Sequence, residues 1–155
     1  MKTERRSMLK KLTLSVLGFA GLRSIANAET ISDDKKRVVS GVVMDQEIPL
    51  FSSSTKYGNL VFVAGKGAHY TGDIKAHTET VLQELEKELI KAGSSMKNVL
   101  KVSVFLNDIA DYDGMNSVYR GRFGNTPPVR TTVAVAKGGV PGNSLVEMDC
   151  IAYVS

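Results

Sequence analysis

The sequence predicts an α+β domain in which two helices cover one face of a mixed sheet, in the order β-β-β-α-β-α-β-β. Two segments carry apolar stripes at helical spacing, and several others are apolar runs or alternations of strand length. Gly, Pro and Asn punctuate the boundaries between them. The length of 155 residues suits one domain with a real core. With 43% hydrophobic residues, 23% charged, and 14 Gly plus 4 Pro, the composition excludes disorder and collagen-like repeats.

Val38–Asp45 is rich in β-branched residues and fits a strand. Asn59–Lys66 is a continuous apolar run of strand length behind the turn signal Gly58-Asn59. The order counts three strands before the first helix, yet the segment between these two shows no boundaries of its own. Residues 65–72, Gly-Lys-Gly-Ala-His-Tyr-Thr-Gly, read as a glycine-rich loop. Asp73 can cap a helix whose stripe is Ile74, Thr78, Val81, Leu82, Leu85, Leu89 and Ala92, and Gly93 stops it. Val99–Asn107 alternates, with Leu100, Val102, Val104 and Leu106 on one side, as in a half-buried strand. Asp111–Phe123 places Tyr112, Met115, Val118, Tyr119 and Phe123 at helical spacing. Pro127-Pro128 precedes a strand over Arg130–Lys137, and after the turn 138–142 the last strand is Leu145–Val154.

Residues 1–28 contain six basic side chains and one acid, a charge of +5, out of a whole-chain +4. The rest has 14 basic and 15 acidic residues, so the high pI belongs to the leader. This leader has a charged start, an apolar run Leu12–Leu22 and a small-x-small site at Ala26-Asn27-Ala28, which reads as a signal peptide. The run is shorter than the ~20 residues a membrane span requires. Arg5-Arg6-Ser7-Met8-Leu9-Lys10 resembles the twin-arginine export signal, which implies a periplasmic or otherwise exported protein. The expected organisation is a leader 1–28, an arm 29–37 and a domain 38–155, with no membrane partner once the leader is removed. A mature charge near −1, without a basic stripe, disfavours nucleic acid.

Two charged positions stand out. Arg130 opens an apolar strand, and Glu147 and Asp149 share a face of the last strand with Leu145, Ile151 and Tyr153. Such residues form either a structural salt bridge or a site in which arginine grips a carboxylate and the protein acid handles a proton. The other candidates read as structural. Cys150 points with Val146 and Met148 into the core, His69 and His77 are loop and helix-surface residues, and Lys66 is an exposed lysine. One Cys and two His make no His/Cys zinc site, so no metal or cofactor is expected. Ser52-Ser53-Ser54 lacks the context of a hydrolase nucleophile.

Pro127-Pro128-Val129-Arg130-Thr131-Thr132, followed after a glycine turn by Val146-Glu147-Met148-Asp149-Cys150-Ile151-Ala152, resembles the Rid family, the reactive intermediate deaminases or YjgF/L-PSP endoribonuclease family. The resemblance extends over nearly all of 38–154, including 57–65, Thr71-Gly72-Asp73-Ile74, 102–108 and 116–123. It implies a chorismate-mutase-like fold, a homotrimeric barrel with clefts between subunits, and hydrolysis of 2-imino or enamine acids to 2-oxo acids and ammonia. By the same resemblance Arg130 grips the substrate carboxylate and Glu147 serves the catalytic water. Asn116, Gly65 and Thr132 line the site, and Phe51 stands where active deaminases commonly have a tyrosine. The family Ser-Gly-Gln reads Ala64-Gly65-Lys66 here, and the turn between the last two strands lacks the usual Leu-Pro arrangement. These losses keep open a trimeric binding protein for small carboxylic acids without turnover. An endoribonuclease ranks last.

Overall fold

The structure is a computed structural model that describes residues 35–155. The leader and residues 29–34 of the arm lie outside the described residues. Six strands form one sheet: β1 (Arg37–Asp45), β2 (Ile48–Tyr57), β3 (Leu60–Gly67), β4 (Val99–Leu106), β5 (Val129–Ala134) and β6 (Val146–Tyr153). Two helices, α1 (Ile74–Lys91) and α2 (Tyr112–Tyr119), complete the expected α+β order. The spatial order is β1-β2-β3-β6-β4-β5, antiparallel except for β4–β5, which α2 links as a parallel crossover. This is the chorismate-mutase-like arrangement the sequence implied.

α1 forms where its caps and stripe require. The Asp73 carboxylate accepts from the Ala76 N–H at 2.8 Å, and Gly93, at φ +77°, lets the chain turn away after Ala92. Val81, Leu82, Leu85 and Leu89 pack on Val61 and Val63 of β3, Val102, Val104 and Leu106 of β4, and Val146, Met148, Cys150 and Ala152 of β6. Met115 of α2 closes this core. Both helices therefore cover the same sheet face. The opposite face carries Phe51, Phe62, Val129 and Val133, all exposed, beside the carboxylates of β6.

Several expectations needed correction. β2 is the third strand that the order counted without bounds, and its start was hidden because the hairpin turn is Gln46-Glu47, both at positive φ (46° and 69°), rather than a glycine-bearing pair. The glycine-rich loop starts later than expected, because β3 continues to Gly67. A bulge between Val99 and Lys101 puts Val99 into the core and leaves Leu100 46% exposed. The second helix ends at Tyr119, where Arg120 turns extended, and Phe123 is buried from the following turn.

His77 is buried rather than on the helix surface. It receives the Leu145 N–H on Nδ1 at 3.0 Å, so its Nε2–H donates to the Tyr70 carbonyl at 2.9 Å. Lys66 is likewise not an exposed cation. Its ammonium lies 3.5 Å from the buried Glu88 carboxylate, to which the Ser40 and Ser54 hydroxyls also donate. Helix α1 thus pairs a charge that the sequence placed near the site.

Candidate active site

Arg130 is paired with Val102 of β4, so its side chain emerges on the helix-covered face at the open edge of β5. It is half-buried against α2. Its Nη1 donates to the Asn116 carboxamide oxygen at 2.8 Å and its Nη2 to the Tyr112 hydroxyl at 3.2 Å. The guanidinium carbon sits 4.6 Å from the Tyr119 ring centroid and 5.8 Å from that of Tyr112. A guanidinium has five N–H donors, and these two bonds leave it able to meet a carboxylate in bidentate fashion.

Thr132 follows two residues along the strand, on the same face. Among the described residues, its hydroxyl and that of Tyr119 are the buried side-chain groups lacking a hydrogen-bond partner. Orphaned buried polar groups are rare, and they suit a pocket whose partner arrives with a ligand. Burial pushes the Tyr119 phenol up to about 12, against a smaller downward pull from Arg130, so it stays neutral at physiological pH. Asp113, Asn116, Ser117, Tyr119 and Arg120 line an open cleft of about 480 Å³ beside this group.

Glu147 belongs to the other side of the sheet. It pairs with Phe105 of β4 and Gly67 of β3, on the face opposite the two described helices. The β3 bulge between Val63 and Lys66 brings the Gly65 backbone against its carboxylate. A Cβ on Gly65 would lie 2.1 Å from Glu147 Oε1, so only glycine leaves the acid in place. Glu147 also borders a cleft of about 280 Å³ with Phe105, Val135, Gly139, Val140 and Pro141. Phe51, half-exposed on β2, points to this same face.

Five of the six sequence-derived positions therefore fall into two groups in one chain, and Phe51 shares only the sheet face of the second. Arg130, Asn116 and Thr132 are brought together, as are Glu147 and Gly65, but a sheet separates the two groups. Sequence reasoning missed Tyr112 and Tyr119 as partners of Arg130, although both stand in the predicted helix stripe. Their spacing with Asn116, at 112, 116 and 119, was the available clue. Cys150 is no nucleophile: burial, reinforced by Asp149, pushes its thiol up to about 12. Among the described residues no group of three His, Cys, Asp or Glu could hold a metal ion, and no helix is long and apolar enough to cross a membrane.

Comparison with known proteins identifies the family. A RutC family protein of Pyrococcus abyssi is 37% identical over 125 residues, 76% of this chain and 97% of that protein. The 2-iminobutanoate/2-iminopropanoate deaminase of Dermatophagoides farinae is 27% identical over 126 residues, 77% of this chain and 97% of that one. A crystal structure of a Thermotoga maritima protein superposes with a TM-score of 0.68 at 33% identity, covering 78% of this chain and 99% of that one. The family model described as Endoribonuclease L-PSP matches residues 45–154. The chain is a member of that family, the Rid or YjgF/L-PSP group.

Proposed function

We propose that the protein hydrolyses small 2-imino acids, or their enamine tautomers, to 2-oxo acids and ammonia. The observation that carries this is Arg130, clamped on α2 with donors to spare beside the orphaned Thr132 hydroxyl. Such a site takes a carboxylate, and a deaminase of 2-imino acids is among the chain's relatives. Water adds to the C=N carbon, Glu147 accepts its proton and returns it to nitrogen, and the carbinolamine collapses to the 2-oxo acid and ammonia. Arg130 and Glu147 lie on opposite sheet faces, so one site takes Arg130 from one subunit and Glu147 from its neighbour. The apolar uncovered sheet face supports the homotrimer this demands.

The test couples the purified protein to an amino-acid oxidase that releases 2-imino acids. Decay of the imine faster than the spontaneous rate is the expected result, and decay at that rate would overturn turnover. Phe51 and Ala64 favour a second reading, since neither supplies a hydroxyl near the reacting carbon. In that reading the protein binds 2-oxo acids through Arg130 without converting them.

We also propose export of the folded chain, on Arg5-Arg6 and Ala26-Asn27-Ala28. Changing Arg5-Arg6 to a lysine pair is expected to hold full-length precursor in the cytoplasm, as read by fractionation and immunoblotting. Unchanged export would remove the twin-arginine assignment.

A further inference from the structure

α2 is only eight residues long, yet three of its side chains converge on one cation. Tyr112, Asn116 and Tyr119 stand at i, i+4 and i+7, a single stripe facing β5. Tyr119 is buried, and its hydroxyl finds no hydrogen-bond partner among the described residues, so the ring face is what it offers Arg130. Tyr112 adds a hydroxyl acceptor at 3.2 Å, and Asn116 an amide oxygen at 2.8 Å. Packing alone accounts for the Tyr119 contact with Phe123, whose ring centroid lies 4.9 Å away, but not for a guanidinium lying over the opposite partner.

We propose that Tyr112 and Tyr119 are positioning residues for Arg130, fixing the plane and direction of its fork and thereby setting affinity for the ligand carboxylate. The proposal rests on the carboxylate-binding reading of the site. An unrestrained arginine samples many rotamers and must lose them on binding. One already held by two rings and an amide has lost them beforehand.

The test has two arms on the purified protein. Without ligand, NMR of the Arg130 guanidinium reports its rotation about Nε–Cζ. With 2-oxobutanoate as probe, titration gives Kd. Tyr119→Phe keeps the ring and is expected to match wild type within about twofold in guanidinium rotation. Tyr119→Leu and Tyr112→Leu are expected to speed guanidinium rotation and weaken binding by roughly 3- to 30-fold. Tyr112 is exposed enough that its variant folds even if the Tyr119→Leu protein does not. Unchanged rotation and Kd in Tyr112→Leu and Tyr119→Leu would overturn the proposal, as would guanidinium rotation in Tyr119→Phe as fast as in Tyr119→Leu. If Arg130→Ala binds the probe like wild type, the carboxylate-binding reading fails instead, and the rotation measurement still decides the cage.

Discussion

Arg130→Ala is expected to weaken binding of 2-oxo acids by on the order of 100-fold and to remove measurable imine hydrolysis with it. A bidentate charge-assisted pair is the strongest contact available to a small carboxylic acid, and Arg130 is the cation bonded to Asn116 on the strand that carries Thr132. Stability should change little, because the side chain is only half-buried and sits at the edge of the sheet. Calorimetric titration and a thermal melt on the same sample measure both. Retention of wild-type affinity would move the carboxylate to another place on the molecule.

Glu147→Gln is expected to keep binding while lowering turnover by about 10²- to 10⁴-fold, the usual worth of a positioned acid–base group. The larger consequence comes from mixing. Arg130→Ala and Glu147→Gln subunits, unfolded together in equal amounts and refolded at random into trimers, should recover activity in about a quarter of all sites. Those are the sites in which an intact Arg130 meets an intact Glu147 across a subunit boundary. If both residues served from a single chain, no hybrid would contain a complete site and activity would stay at the level of the separate variants. Imine decay assayed after refolding distinguishes the two outcomes.

The parts of this molecule legible in its sequence are those where local chemistry and long-range packing agree. α1 shows its cap, its stripe and its stop because each is a residue type with one preferred use. β6 shows its two faces because Val146, Met148, Cys150 and Ala152 alternate without interruption. Legibility failed where backbone geometry departs from regular spacing. The bulge near Val99 inverted which residue faces the core, and the Gln46-Glu47 turn concealed a strand because neither residue advertises positive φ. The separation of Arg130 from Glu147 could not be read either, since it depends on the inter-strand register that sets Arg130 beside core-facing Val102 and Glu147 beside Phe105. Lys66 was misread for a similar reason: its partner, Glu88, lies on another element.

The buried thiol of Cys150 bears on where such a protein can live. It is the chain's one sulfhydryl, enclosed between helix and sheet and pushed far above the range in which thiolates form. Disulfide exchange and oxidation both begin from a thiolate with access to a partner, and this sulfur offers neither. The domain's thiol is therefore indifferent to the redox poise around it. It would hold the same covalent form in a reducing cytosol and in an oxidising space outside it, and crossing between them would ask nothing of its chemistry.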